Sequence, residues 1–125
     1  MKLALSELET NVLRLKAKGY TFNKIAESLG KNSYQQIQEI YGRALKKLRV
    51  WNYLNKHDKH LIRAAGAYGY SFDKLMKLCS FLQNKNLLKT YYQMPTKDLA
   101  GINYLNSNDL EVLIASKKYR YSPTE

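Results

Sequence analysis

A chain of 125 residues, 45% apolar and 25% charged, is long enough for one compact domain or two very small ones and too apolar to stay disordered. Its 21 Lys and Arg against 10 Asp and Glu leave a net charge of +11, shared by both halves, and such an excess favours a polyanionic partner. A single cysteine excludes an intrachain disulfide framework, and no run of about 18 apolar residues offers a membrane span, so no membrane partner is expected. The opening MKLALSELE lacks the apolar stretch of a secretory signal, and the expected setting is a reducing cytoplasm. A nucleotide bias towards Lys, Asn and Tyr codons is the alternative origin of the basic charge.

From Ser6 to Lys18, SELETNVLRLKAK places Leu8, Val12 and Leu15 on one helical face with Leu13 beside them. Ser6 with Glu9 three residues on forms a capping-box signature, and Gly19 marks the stop. Thr21 then caps a short helix, FNKIAESL, whose Phe22, Ile25, Ala26 and Leu29 turn inward while Asn23, Lys24 and Glu27 face water. Gly30 ends it, and Ser33 caps a third helix from Tyr34 to at least Leu48. That helix buries Ile37, Ile40, Ala44 and Leu48, and it exposes Tyr34, Gln35, Gln36, Gln38, Glu39, Arg43, Lys46, Lys47 and Arg49.

Three helices with a short second one, and a third that shows amides first and bases later, match a helix-turn-helix. Glutamine bridges the N6 and N7 edge of adenine with two hydrogen bonds, while Arg and Lys meet phosphate oxygens. A three-helix bundle with a merely solvated polar face fits the same spacing. Beyond spacing, LSELETNVLRLKAKGYTFNKIAESLG followed by IQEIYGRALKKLRV resembles region four of bacterial sigma factors and the LuxR-type DNA-binding domains. The matching positions are Leu5, Glu9, Val12, Leu13, Leu15, Ala17, Gly19, Thr21, Ile25, Ala26, Leu29 and Gly30, and RALKKLR is especially sigma-like. The resemblance implies a transcriptional setting, a third helix lying in the major groove, and a phosphate contact for Thr21. Lys24 stands where the pattern has glutamate, and LGKNSYQQI holds one residue more than the common spacing, which lengthens the turn.

The phrase AKGYTFNKI at Ala17–Ile25 returns as AYGYSFDKL at Ala67–Leu75, an offset of fifty that suggests a duplicated unit. The second copy is expected to have helices near Lys59–Tyr68, Phe72–Ser80 and Asn84–Gln93, the last presenting Gln83, Asn84, Lys85, Asn86 and Lys89 as a possible second DNA-binding helix. Alternatively, its surplus of Leu75, Met76, Leu78, Phe81 and Leu82 buries an interface. Between the copies, ALKKLRVWNYLNKHDKHLI reads either as a nearly continuous helix or as one interrupted by a polar linker at Asn52–Asp58. Two reading units in one chain resemble the architecture of AraC-type regulators.

Pro95 breaks the pattern, Thr96 caps a short turn, and Ser107 or Asn108 caps a helix through DLEVLIASKKY. Its bases Lys117, Lys118 and Arg120 suit either the negative end of the helix dipole or phosphate contact, and the terminal SPTE is expected to fray. His57 and His60 form an H-x-x-H, but no matching cluster accompanies them, no phosphate loop or nucleophile trio is present, and neither an enzyme nor a cofactor is expected.

The expectation is an all-α protein of two tandem helix-turn-helix units joined by a helical connection, plus a C-terminal helix. Its divisions are 1–55, 56–94 and 95–125, the last packed on the second unit. It is read as a regulator of transcription that binds double-stranded DNA, either as a monomer with two reading heads or as a homodimer. Gln35, Gln36, Gln38 and Glu39 read bases, and Thr21, Lys31, Tyr34, Arg43, Lys46, Lys47 and Arg49 hold phosphates. The alternatives are a sigma-like adaptor gripping RNA polymerase or another regulator, and a packaging or replication accessory of a mobile element.

Overall fold

The computed structural model describes residues 1–30 and 33–121. Among them are seven α-helices, one 3-10 turn and no strand, as an all-α reading requires. None of these helices is long and apolar enough to cross a membrane. The chain divides into two compact units: Leu3–Trp51, and the residues from Asn52 onward with Met1 and Lys2.

In the first unit, α1 (Glu7–Ala17) starts at the capping box: Ser6 Oγ accepts from the Glu9 N–H (3.0 Å) and Glu9 Oε1 accepts from the Ser6 N–H (2.9 Å). A cap of this kind stabilises a helix by about 1 kcal/mol. The helix stops at Gly19, whose φ of +93° suits a residue without Cβ, and the chain turns so that the Tyr20 N–H reaches the Leu15 carbonyl (3.2 Å). Thr21 Oγ1 then accepts from the Lys24 N–H (3.2 Å) and opens α2 (Phe22–Ser28). Ser33 Oγ accepts from the Gln36 N–H (3.4 Å) at the start of α3 (Tyr34–His57). Val12, Leu15, Ile25, Ala26, Ile37 and Ile40 form the core, with Leu8, Tyr20, Phe22, Leu29 and Tyr41 packed against it. Ala44 is buried as the spacing requires, whereas Leu48 is only half-buried.

Helix α3 outruns its expected minimum by nine residues. It continues through His57 and breaks only at Asp58, so Asn52–Asp58 is not a polar linker, and the connection to Ile62 is nearly continuous helix interrupted at that one residue. The break has a cause: Asp58 leaves helical geometry (φ −150°, ψ 58°) and its Oδ1 accepts from the Leu61 N–H (3.3 Å), capping α4 (Lys59–Ala67).

The second unit repeats the corner of the first. Gly69 has φ +75°, the Tyr70 N–H reaches the Ala65 carbonyl (2.9 Å), and Ser71 Oγ accepts from the Lys74 N–H (3.2 Å) to open α5 (Phe72–Asn84). Here the copies part. Fifty residues after Gly30 stands Ser80, and without a glycine stop α5 runs on to Asn84. The chain leaves it through Lys85 and Asn86, whose φ is +57°, and then forms only a 3-10 turn at Tyr91–Gln93. The helix expected over Asn84–Gln93 is therefore absent. Asn84, expected to begin it, and Gln83 before it are instead the last two residues of α5.

After that turn come α6 (Thr96–Ala100) and α7 (Ser107–Tyr121), and α7 packs along α4 and also meets the 3-10 turn and α6. Thr96 is the first helical residue of α6 rather than its cap, and no side chain caps that helix. The cap of α7 comes one residue earlier than expected, since Asn106 Oδ1 accepts from the Asp109 N–H (2.8 Å). The apolar surplus of α5 is mostly inside the chain: Leu75, Met76, Leu78 and Leu82 are buried, and Phe81 is half-buried.

A buried polar centre ties this unit together. Asp58 pairs with Arg120 (3.1 Å) and accepts from the Tyr91 hydroxyl (2.7 Å), which also bonds Ser116 Oγ (2.6 Å). Burial and then the Asp58 charge push the Tyr91 hydroxyl well above the usual phenol range, so it stays a donor.

Candidate nucleic-acid interface

The expected reading residues all lie on α3, so whatever fixes that helix fixes the site. On its inner side Phe22 meets Tyr41 edge to face (centroids 5.5 Å apart), and Lys16 sits 4.2 Å above the Phe22 ring. On a flank, Glu9 is 2% exposed and holds two cations of α3: Arg43 Nε at 3.3 Å and Lys47 Nζ at 3.1 Å. Burial opposes the charge on Glu9, but the Ser6 N–H, Lys47 and Arg43 outweigh it and hold the carboxyl below its usual range. Glu9 thus caps α1 and clamps α3 at once.

That clamp divides the expected phosphate contacts. Lys47, only 20% exposed, is spent on Glu9, so its assignment to phosphate gives way to an intramolecular pair, because a buried carboxylate requires a counter-charge. Arg43 is shared: its Nε faces Glu9, while the side chain is still 60% exposed. Lys46 and Arg49 are exposed on the outward side, and Tyr34 and Thr21 are exposed at the starts of α3 and α2. Lys31 lies outside the described residues.

The 3.6-residue repeat then sorts the amides. Gln35, Gln38, Glu39, Gly42, Lys46 and Arg49 are all exposed and succeed one another along the face opposite Ile37 and Ala44. Gln36 is exposed too, but its row is that of Arg43 and Lys47. The outward stripe is therefore polar and acidic in its first two turns and basic in the next two.

No comparable stripe forms in the second copy. Gln83 and Asn84 close α5, Lys85 caps it, and Asn86 turns the chain in a left-handed conformation, so the five residues expected to form a second reading helix share no helix. Two of their cations lean on aromatic faces instead, Lys85 over Phe81 (5.3 Å) and Lys89 over Tyr53 (5.7 Å). The basic end of α7 turns inward as well: Lys117 donates to the Met94 carbonyl, and Arg120 donates to the His57 carbonyl (3.1 Å) and stacks on Tyr92 (3.8 Å). Lys118 is exposed. His57 packs on Tyr53 (5.1 Å), and among the described residues no three His, Cys, Asp or Glu side chains gather as metal ligands.

Sequence reasoning finds Ser6 and Glu9 as a cap but misses the clamp, whose partners lie 34 and 38 residues away and leave no local signal. It also misses the polar centre around Asp58. Compared with family models, curated proteins and solved structures, the chain finds no match in any of the three.

Proposed function

We propose that the chain binds double-stranded DNA through α2, the turn after it and α3, a helix-turn-helix in which α3 lies in the major groove. The observation that carries this reading is the outward stripe of α3, with Gln35, Gln38 and Glu39 towards its start and Lys46 and Arg49 beyond. Amides and a carboxylate suit base edges, glutamine pairing with adenine and glutamate accepting from cytosine N4; the bases further along suit phosphates. Thr21 and Tyr34 supply hydroxyls at the starts of α2 and α3, and Arg43 adds its outer nitrogens. Resemblance to sigma region four and LuxR-type domains supports the same corner and a role in regulating transcription. One reading helix per chain means one half-site per chain, so a two-part site calls for two chains.

The adaptor reading, in which the chain grips RNA polymerase or another regulator, draws on the apolar surplus of α5. With Leu75, Met76, Leu78 and Leu82 already buried, that support is weaker.

Selection of bound duplexes from a random pool, followed by footprinting, tests the proposal; absence of any enriched sequence would sink it. Gln35→Ala with Gln38→Ala should flatten the sequence preference. Lys46→Ala and Arg49→Ala should weaken binding to all duplexes alike, each lowering the salt slope by about one.

A further inference from the structure

A glycine in mid-helix costs stability relative to alanine, so its presence in α3 needs a reason. Two ordinary reasons fail for Gly42. Positive φ does not apply, since the glycines with that geometry are Gly19, Gly30 and Gly69. Close packing does not apply either, because among the described residues a Cβ built on Gly42 meets no heavy atom within 4 Å. Among the described residues, none packs into the space that a side chain at Gly42 would take. Gly42 nevertheless sits at the middle of the outward stripe, one turn after Gln38 and Glu39 and one turn before Lys46.

We infer that Gly42 is the point where α3 approaches the base edges most closely, and that its bare backbone sets how deep the helix seats in the major groove. The inference rests on the DNA-binding reading of α3. Its physical basis is clearance: the groove is about 12 Å wide and a helix with its side chains measures about 10–12 Å, so there is little slack. A methyl group on the inward face lifts the helix and draws the Gln35 and Gln38 amides off their partners. Lys46 and Arg49 have long, flexible stems and track the phosphates regardless, so the loss falls on sequence preference. Gly42 is on this account a positioning residue that acts through its neighbours.

The test compares wild type, Gly42→Ala and Gly42→Leu on the duplex enriched from a random pool and on an unrelated duplex of equal length, with a thermal melt of each protein. Both variants are expected to melt at or above the wild-type temperature, since alanine and leucine are better helix formers. Gly42→Ala should nevertheless bind the enriched duplex about tenfold more weakly, the worth of one bidentate base contact, with unchanged affinity for the unrelated one. Gly42→Leu should bring the two affinities close together. Wild-type affinity of both variants for the enriched duplex overturns the inference and leaves the DNA-binding reading standing. Failure of the wild type to enrich any duplex removes both.

Discussion

Residues 17–25 and 67–75 differ at only four of nine positions, and the corners they build agree bond for bond: a left-handed glycine, a tyrosine N–H returned to the preceding helix, and a hydroxyl that caps the next one. Past the corners the two copies diverge. After Gly30, with φ +68°, α3 begins within four residues; after Ser80, α5 simply continues. The repeated phrase encodes a corner, and a separate residue outside it, Gly30 in one copy and Ser80 in the other, bears on where the next helix stops. The repeat is thus one of local geometry, and only in the first half is the short helix after the corner followed by another long one.

The strongest way to strain this comparison is to hollow both corners at one shared position. Ile25 and Leu75 are fifty residues apart and both 0% exposed, so Ile25→Ala and Leu75→Ala should each cost about 3 kcal/mol. Hydrogen exchange should register the loss in α2 for the first and in α5 for the second; a far smaller cost at either would mean the two corners are not packed alike.

The next effect belongs to the first copy alone. Its Glu9 carboxyl is held below the ordinary value of 4.5, so the folded chain gains stability above that pH and loses it as pH falls towards the lowered value, where protons bind the unfolded chain first. Glu9→Gln should remove about 2 kcal/mol at neutral pH, together with that part of the acid sensitivity. Unfolding in denaturant at pH 7 and near pH 4 checks both; equal losses at the two values would argue that the clamp is not ionic.

Exchanging the stop signals gives the smallest and most direct test. Gly30→Ser places a side chain at φ +68° and should cost about 1 kcal/mol. Ser80→Gly should cost about 0.5–1 kcal/mol without splitting α5, because Leu82, beyond it, is buried. Backbone chemical shifts that showed a break at Ser80→Gly would mean that the glycine alone terminates the helix.

Much of the first unit is legible in the sequence because its signals are local. Ser6 with Glu9, Gly19, Thr21 and Ser33 each act over three to five residues, and the Ile37–Ile40–Ala44 spacing gives the inner face of α3 directly. The outward stripe is legible for the same reason, as the complement of that face. The features that escape depend on distance along the chain. Lys47 reads as a solvent-facing cation until Glu9 is brought beside it, and Lys117 and Arg120 read as a basic tail until Met94, His57 and Asp58 come within reach. The third helix of the second copy fails because the offset of fifty does not hold past Ser80, where the chain no longer stops.

Cys79, the sole cysteine, lies wholly buried in α5, and burial followed by the Asp58 charge pushes its thiol up to about 12. Such a sulfur reacts with an alkylating reagent only when its surroundings open. The chain therefore carries a built-in clock for the second unit: the rate of labelling times the opening of α5, with no engineered probe, and a variant confined to the first unit can be scored by whether it makes that clock run faster.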